Sequence, residues 1–398
     1  MTGIRPVAAA VAGVVLGAIV SISLQGGATD PGGAASSSPR RPARPPPQTF
    51  LAWVPGGLPR QFDDRVRELA VTGSVATVAE DHAWLTGSRD AQGAVVERTR
   101  APFRIPVDTI AVDPRSFAVF LGSSERRHVE AIRNGAGVLS ATSALLRGIG
   151  VGGELRFAGG RRVPVAAVLP DEALGGAELL VSAATGRAIE VRHDRYVLVR
   201  PAPGATLRSA TLRPMLQALL DPDLGPLGRV QVRTAAETPL LRPGDAVMST
   251  AQMKVAFGEF AARLEPGRPG YLDLEPAWTA RHLVTERLPL LGKVTCHEAV
   301  MPQLTGAMRE LRRRGIGSLV ETFDGCFAPR FIARDPAGLI SHHSWGVAVD
   351  LNIAGNYYGA RPRQSPRLVA VMERWGFQWG GRFIVPDGNH FEYRRDPA

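Results

Sequence analysis

The sequence predicts an α+β fold for the C-terminal region, in which helices flank a small antiparallel sheet, with a β-rich mixed α/β region ahead of it. Three observations support this. The chain has 398 residues, 44% of them apolar, which is enough for two or three domains. Short apolar runs broken by glycine dominate the middle of the chain and are typical of strands. Runs with helical spacing alternate with short strand-like runs nearer the C-terminus.

The charge is strongly positive and comes almost entirely from arginine. The formal net charge is +10, and Lys254 and Lys293 are the only lysines. No stretch combines a basic cluster with aromatic residues for base stacking, so the sequence predicts no nucleic-acid partner. The charge fits attraction to an anionic cell wall or lipid surface, although a biased genomic composition would give the same excess of arginine.

Residues 1–24 are predicted to be a signal anchor or a signal peptide, the anchor being a transmembrane segment. An apolar run follows Arg5 and approaches the roughly 20 residues that a membrane span needs. It is longer than the roughly 7 to 15 apolar residues of a cleaved signal peptide, which favours a retained anchor. Small residues at Gly26 and Ala28 leave cleavage and secretion as the alternative. With Arg5 on the cytoplasmic side, the rest of the chain lies outside the cytoplasm.

Two stretches are predicted to connect larger units. Residues 25–49 are rich in Gly, Ser, Pro and Arg, so we expect an extended, semi-rigid linker. Residues 202–250 contain two Pro-Gly pairs and a helix candidate at 212–220, and they are predicted to be a connector. The C-terminal unit would then span 251–398.

The middle unit, residues 50–201, is predicted to be β-rich, with a hairpin over 153–165. It resembles the extracytoplasmic module of bacterial permeases of the MacB and FtsX type, and its role is left open. Its histidines, His82, His128 and His193, have no partner at ligand spacing, which predicts surface or core residues. The other predicted elements are strands at 178–183 and 195–200 and helices at 127–134 and 141–147.

Two helices are predicted in the C-terminal unit. One spans 299–314, because its apolar residues fall on one face and Gly315 can close it in the left-handed conformation. The other spans 365–376, with Ser365 as the cap, Pro366 at the first helical position and a glycine at the end.

Histidine and carboxylate residues recur at short spacing in two segments of this unit. The first, Ser-His-His-Ser-Trp-Gly-Val-Ala-Val-Asp over 341–350, places His343 seven positions before Asp350 and ends in the alternation of a strand. The second, Asp-Gly-Asn-His, places His390 three positions after Asp387 across a turn. Two histidines and one aspartate with a position open for water are a ligand set of catalytic zinc sites.

These blocks carry a family resemblance. The pattern Ser-x-His-x-x-Gly-x-Ala-x-Asp, followed by Trp-Gly-Gly and Asp-x-x-His-Phe-Glu, resembles the zinc D-alanyl-D-alanine carboxypeptidase and L-alanyl-D-glutamate endopeptidase family of VanY-like cell-wall peptidases. The resemblance covers the C-terminal unit only. It implies that His343, Asp350 and His390 bind Zn²⁺ and that Asp387 is the general base.

The resemblance also implies an arginine upstream of the first ligand. Arg330, at the end of Gly-Cys-Phe-Ala-Pro-Arg, is the predicted residue for the substrate carboxylate or the oxyanion, and Arg334 is the alternative. His342 is out of register with the Ser-x-His spacing and is predicted to be a loop residue. Glu392 shares a strand face with His390, so it either orients this ligand or is solvated.

The chain has two cysteines, Cys296 and Cys326, thirty positions apart. In a protein outside the cytoplasm they predict one disulfide, which would tie the segment around Arg330 to the preceding helix. The alternative, zinc ligation by both thiols, is disfavoured because the sequence has no Cys-x-x-Cys pair.

The resemblance therefore implies a zinc metallopeptidase of the D-alanyl-D-alanine carboxypeptidase type that hydrolyses peptidoglycan stem peptides, with water activated by zinc and Asp387. The bond is left open between the terminal D-Ala-D-Ala, the internal L-Ala-D-Glu and a peptide cross-link. A different class also remains open, namely a non-catalytic wall-binding protein that retains the zinc fold. A further alternative is that the middle unit supplies the main function by binding a partner.

Overall fold

The predicted anchor at 1–24 and nearly all of the predicted linker lie outside the residues that the structure describes. Those residues belong to one compact unit, Pro47–Ala398. None of their helices is long and apolar enough to cross a membrane. The computed structural model describes residues 48–221, 228–234, 237, 241–244 and 248–394.

A large mixed sheet dominates the first part of this compact unit. We call this part, residues 50–234, the sheet unit. Its strand order is β10-β1-β9-β2-β4-β8-β5-β7-β6, with β3 beside β2. Only the pairs β4–β8 and β5–β7 are parallel. The 18 residues of β2 pair with β9 and β4 and, near their end, with β6. The strand order that runs from β2 to β6 therefore closes on β2 again. The strands are β1 Phe50–Trp53, β2 Thr72–Arg89, β3 Val95–Arg98, β4 Ile105–Val112, β5 Gly137–Ser140, β6 Glu154–Phe157, β7 Arg162–Leu169, β8 Leu179–Ser182, β9 Asp194–Pro201 and β10 Gln231–Thr234.

The predicted hairpin over 153–165 is confirmed as β6 paired antiparallel with β7.

The helices of the sheet unit are short. The helix predicted at 141–147 is confirmed, and it begins where the Ser140 hydroxyl accepts a hydrogen bond from the amide of Ser143. The helix predicted at 127–134 begins earlier, at Ser123, and ends in a 3₁₀ turn. The helices are α1 Phe62–Arg67, α2 Pro114–Ala118, α3 Ser123–Glu130, α4 Ala141–Arg147, α5 Ala183–Ala188 and α6 Ser209–Gln217.

The C-terminal part contains the predicted small antiparallel sheet, in the order β15-β16-β18-β17. Two separate hairpins, β11–β12 and β13–β14, precede it. Helix α10 packs against β17 and α9. The elements are α7 Thr250–Phe257, β11 Ala262–Leu264, β12 Leu272–Leu274, α8 Pro276–His282, β13 Leu283–Leu288, β14 Gly292–His297, α9 Met301–Arg313, β15 Phe323–Gly325, β16 Ala348–Leu351, α10 Pro366–Arg374, β17 Phe377–Trp379 and β18 His390–Tyr393.

The two helices predicted in this region are confirmed, each slightly shorter than expected. On α9 the apolar face is fully buried, as at Leu304 and Leu311, and Gly315 follows with φ 65°. Pro366 occupies the first turn of α10, as predicted. Ser365 stands at the cap position, but its side chain makes no capping hydrogen bond. The apolar face of each helix therefore joins one core with the small sheet.

A buried group of charges joins α7 to the sheet unit. The ammonium of Lys254 lies 2.7 Å from a carboxylate oxygen of Glu178 and 2.9 Å from one of Glu259, and it donates to the carbonyl of Pro106 at 2.6 Å. Arg147 pairs with the same two carboxylates. Burial raises the pKa of Glu259, but Lys254 and Arg147 outweigh it and lower the pKa to about 2. Each buried charge therefore has an opposite charge beside it, which burial requires.

The predicted disulfide is present between Cys296 and Cys326, which leaves no free cysteine. The predicted tie to a helix is wrong, because Cys296 lies in β14 and α9 begins only at Met301. Cys326 follows the last residue of β15. The bridge therefore joins a strand of the β13–β14 hairpin to the segment that leads to Arg330.

Replacement of both cysteines by serine should lower the free energy of unfolding by about 3 to 4 kcal/mol. In the loop-entropy account, a ring of this size restricts the unfolded chain by that amount. Denaturant unfolding of the parent and of the Cys296→Ser/Cys326→Ser variant measures the difference. Thiol titration of the denatured, unreduced parent is the control, and two reactive thiols there would contradict the bridge.

Candidate metal centre

Three elements bring the predicted metal ligands together. Asp350 lies on β16 and His390 begins β18, and these residues are direct partners across the antiparallel pair. His343 lies in a 3₁₀ turn, His342–Trp345, just before β16. Strand pairing therefore brings Asp350 and His390 together although forty positions separate them in the sequence. The turn places His343 beside both residues.

The three candidate ligand atoms are close enough to share one metal ion. His343 Nε2 lies 3.2 Å from Asp350 Oδ2 and 3.2 Å from His390 Nδ1. His390 Nδ1 lies 3.1 Å from Asp350 Oδ1. Tetrahedral zinc with bonds of about 2.0 to 2.2 Å holds its ligand atoms about 3.3 to 3.6 Å apart, so these side chains would need to move by only a few tenths of an ångström to bind it. The structure brings the predicted ligands together, and their role as ligands stays a prediction.

Burial and hydrogen bonding have opposite effects on the pKa values of Asp350 and His390. Burial raises the pKa of Asp350, but hydrogen bonds with His343 and His390 outweigh it and leave the pKa well below its usual range. Burial lowers the pKa of His390, but hydrogen bonds with Asp350 and Glu392 raise it to about 10. These contacts favour a proton on His390 Nδ1, the nitrogen that faces Asp350. A metal ion binding there would displace that proton.

Further contacts orient the two histidines. His343 Nδ1 donates to the carbonyl of Cys326 at 2.8 Å, which leaves Nε2 facing Asp350. His390 Nε2 lies 3.6 Å from Glu392, whose carboxylate also bonds His342. Glu392 is only 8% exposed, so the solvated alternative is wrong and the orienting one is supported. His342 lies in the 3₁₀ turn before β16 and outside the group of candidate ligands, in agreement with its prediction as a loop residue.

Asp387 lies in the turn before β18 with one carboxylate oxygen unused. Its amide donates to the carbonyl of Gly380 at 2.9 Å, and its carbonyl accepts from the amide of His390 at 3.2 Å. The Oδ1 atom is buried and has no hydrogen-bond partner in the structure. Burial raises the pKa of Asp387, although the charges of His390 and Arg330 oppose this. A buried carboxylate beside a metal centre with a raised pKa is a candidate proton acceptor.

Arg330 reaches the centre, whereas Arg334 does not. Arg330 Nη2 lies 4.0 Å from Asp350 Oδ2. Its amide donates to the hydroxyl of Ser344 at 3.0 Å, which holds it beside the His343 turn. The guanidinium of Arg334 instead lies 5.7 Å from the ring centre of Tyr271. Of the two predicted arginines, only Arg330 therefore has the placement that the predicted role requires.

Two motif glycines are required by close packing. Gly346 has φ 67°, and a Cβ atom there would lie 2.8 Å from the amide nitrogen of His297. A Cβ atom on Gly380 would lie 2.7 Å from the carbonyl oxygen of Asp387 and 3.1 Å from the Cβ of His390. Any other residue at either position would push apart segments that carry the candidate site.

A loop that sequence reasoning missed borders the site. Asn356 is buried, donates to the carbonyl of Asn352 at 3.0 Å and accepts from the amide of Asn389 at 2.9 Å. Tyr357 and Tyr358, next to it, are the only exposed aromatic side chains in the described part of the chain, at 61% and 45%. The cluster Gly-Asn-Tyr-Tyr-Gly signalled a turn in the sequence, but nothing in it indicated the position beside the site.

A second missed residue comes from the sheet unit. His82 was predicted to be a surface or core residue, and it is buried. Its Nε2 atom accepts a hydrogen bond from the amide of Ile340, 258 positions away, at 3.0 Å. No sequence signal at ligand spacing marks a contact of this kind.

Sequence comparison identifies the C-terminal region. Residues 334–393 match the family model described as D-alanyl-D-alanine carboxypeptidase. The matched range contains His343, Asp350, Asp387 and His390 and begins after Arg330. No curated protein matches the chain. This region therefore carries a peptidase-type domain.

Structural comparison concerns the rest of the chain and gives weak similarities. The periplasmic region of MacB from Actinobacillus actinomycetemcomitans is 12% identical, covers 48% of this chain and 90% of its own, and has a TM-score of 0.31. The extracellular domain of the ABC-type transporter YknZ from Gram-positive bacteria is 14% identical, covers 46% and 99%, and has a TM-score of 0.29. The predicted resemblance to MacB-type modules is thus present at this weak level.

Gly380→Ala should weaken Zn²⁺ binding about tenfold or more, because the new methyl group displaces the backbone of Asp387 and the side chain of His390. Changes around a metal ligand typically cost about 10- to 100-fold in affinity. Competition with a chromogenic chelator measures this. Gly150→Ala is the matched control, since Gly150 has no atom within 4 Å of the new methyl group. Equal affinities in the two variants would contradict the packing account.

Proposed function

We propose that the C-terminal region is a zinc peptidase that removes the terminal D-alanine from peptidoglycan stem peptides. One observation carries the proposal. The facing nitrogens of His343 and His390 lie 3.2 Å apart, and each lies 3.1 to 3.2 Å from one carboxylate oxygen of Asp350, next to the turn on which the buried Oδ1 of Asp387 has no partner. The match to the family described as D-alanyl-D-alanine carboxypeptidase over 334–393 supports the substrate class.

The donor set fits zinc. His343 would offer Nε2 because its Nδ1 is bonded to Cys326, and His390 would offer Nδ1 because its Nε2 faces Glu392. Two imidazoles and one carboxylate leave one position open, as in catalytic zinc sites. When bound, zinc supplies a Lewis acid that polarises a carbonyl and lowers the pKa of water to about 7.

Asp387 would move the proton. Its Oδ1 has no competing hydrogen bond, so it is available to accept a proton from the attacking water. The same carboxyl group can then donate that proton to the leaving amine, as general acid–base catalysis requires. Burial raises the pKa of Asp387, which brings its proton affinity closer to that needed near neutral pH.

Arg330 would bind the negative end of the substrate. A carboxypeptidase needs a fixed cation for the terminal carboxylate, and a guanidinium fork matches a carboxylate in two directions. Arg330 Nη2 is 4.0 Å from Asp350, which places a positive charge at the edge of the centre. The same group would stabilise an oxyanion if the substrate were bound further along.

The exposed tyrosines beside the candidate site favour a substrate longer than a dipeptide. Tyr357 and Tyr358 are exposed, and the amide of Gly359 donates at 2.7 Å to the carbonyl of Pro386, the neighbour of Asp387. Tyrosine offers a large contact area and is enriched at recognition surfaces. We propose that this pair contacts the stem peptide on the amino-terminal side of the cleaved bond.

We further propose that the protein is held in the cell membrane by residues 1–24 and faces outward. The disulfide between Cys296 and Cys326 supports an oxidising compartment outside the cytoplasm. The net charge of +10 favours contact with an anionic wall. Secretion after cleavage is the alternative for the same compartment.

The deciding experiment incubates the purified protein, with and without chelator, with pentapeptide muropeptides, cross-linked muropeptides and the D-Ala-D-Ala dipeptide, and identifies products by mass spectrometry. Chelator-sensitive loss of the terminal alanine supports the proposal. Cleavage at L-Ala-D-Glu or at the cross-link would instead assign an endopeptidase. A zinc-loaded protein that yields no product would point to a non-catalytic wall-binding role.

His343→Ala and His390→Ala should each abolish stoichiometric zinc binding, because each removes one of three ligands. Metal analysis of the purified proteins after zinc loading and dialysis gives the ratio of zinc to protein. His128→Ala, on α3 of the sheet unit, should keep the parental ratio. Full zinc occupancy in both ligand variants would show that the metal assignment is wrong.

Asp387→Asn should keep zinc while turnover falls by a factor of about 10² to 10⁴, because the amide has the same size but cannot accept the proton. Zinc content and kcat on the pentapeptide are measured on the same preparation. Near-parental kcat in a zinc-loaded variant would exclude Asp387 as the base. Loss of zinc would make Asp387 a metal ligand instead.

A further inference from the structure

His82 belongs to the sheet unit but contacts the segment that carries Arg330. It lies within β2 and is 7% exposed. Its Nε2 atom accepts a hydrogen bond from the amide of Ile340 at 3.0 Å. The imidazole ring also lies beside Phe331, with 6.5 Å between ring centres. A single side chain of the sheet unit thus contacts both Phe331 and Ile340.

Residues 330–341 form a small hairpin, here called the Arg330 hairpin. The amide of Ile332 donates to the carbonyl of Leu339 at 2.8 Å, and the amide of Ser341 donates to the carbonyl of Arg330 at 3.0 Å. Between these bonds, Phe331 and Ile340 face each other as an antiparallel bridge. The amide of Ile340 therefore points out of the hairpin, as in a non-hydrogen-bonded pair. A buried amide needs an acceptor, and His82 provides it.

The Arg330 hairpin leads directly into the metal centre at both ends. At one end, Arg330 Nη2 lies 4.0 Å from Asp350. At the other end, Ser341 accepts from the amide of His343 and begins its turn. The amide of Arg330 also bonds the hydroxyl of Ser344. A shift of the hairpin would therefore move the guanidinium relative to Asp350.

The surroundings of His82 keep it a hydrogen-bond acceptor. The charged groups that act on it are Asp81 on its own strand, Asp108 on β4, Glu178 before β8 and Lys254 on α7. Burial lowers the pKa of His82, and Asp108, its direct partner across the β2–β4 pair, only partly opposes this. The neutral ring has one bare nitrogen, and the contact with the Ile340 amide assigns this to Nε2.

We propose that His82 is a positioning residue for the peptidase reaction, holding the Arg330 hairpin through Ile340 so that Arg330 stays aimed at the metal centre. Its kinetic consequence rests on the proposed function, whereas its structural consequence does not. The sheet unit thereby becomes part of the catalytic apparatus. Misplacing a catalytic group by about 1 Å costs on the order of 10²-fold in rate.

The test compares His82→Leu, which removes the acceptor, with His82→Gln, whose amide oxygen can accept from Ile340. His128→Leu, on α3, is the matched control. All are compared as zinc-loaded full chains. We expect His82→Leu to lose about 10- to 100-fold in kcat/KM on the pentapeptide with parental zinc content. The peptide that contains Ile340 should exchange amide hydrogens at least about tenfold faster, whereas His82→Gln stays within about threefold of the parent in both measurements.

Acid pH adds a second readout, which depends on the ionisation of His82. The pKa of His82 is depressed, so folding loses stability from this group as pH falls from its usual 6.5 through the lowered value. Protonation also turns the acceptor into a donor facing another donor. The parent should therefore lose more kcat/KM below about pH 6.5 than His82→Gln, which cannot titrate.

Several outcomes would overturn the proposal. These are parental kcat/KM and parental Ile340 exchange in His82→Leu, or equal losses in the Leu and Gln variants. If His82→Leu does not fold, identical acid profiles of parent and His82→Gln are decisive against it. If the parent hydrolyses none of the peptides, the proposed function fails. Ile340 exchange in the two variants then still decides whether His82 holds the hairpin.

Discussion

The antiparallel pairing of β16 with β18 is the constraint on which the candidate site depends. It places Asp350 directly opposite His390, and the turn that carries His343 enters β16 only a few residues earlier. Because side chains alternate between the faces of a strand, a slip of one residue would turn one ligand away from the other. The ligand geometry is therefore a consequence of sheet register. The glycine at 380 lets the turn before β18 approach closely enough for that register.

Electrostatic pairing explains why so many charges tolerate burial in this protein. Lys254 and Arg147 are each surrounded by carboxylates, and Glu392 is bonded to His342. Unpaired buried charges are costly, so such networks are expected. Asp387, beside the candidate metal centre, keeps a buried oxygen with no hydrogen-bond partner among the described residues. The proposed role of Asp387 as a proton acceptor would account for this structural cost.

The sheet unit and the peptidase-type region are joined by specific polar contacts. The helix α7 is anchored by Lys254 to Glu178 and Pro106 of the sheet unit, and the His82 ring accepts from Ile340. Buried polar contacts have directional requirements that apolar packing lacks, so they set one relative position. The sheet unit therefore contacts the segment that carries Arg330.

The sequence by itself determined what depends on local spacing. The two C-terminal helices and the hairpin over 153–165 were predicted correctly, because helix periodicity and turn residues are local signals. The motif also picked out His343, Asp350 and His390, which the structure brings together, and their roles stay a prediction. Only the tertiary structure decided which distant residues meet. It placed Cys296 on a strand, separated Arg330 from Arg334, and brought His82 to Ile340. Contacts of this kind depend on strand register and on packing between units. The spacing of residues along the sequence does not show which distant residues these will bring together.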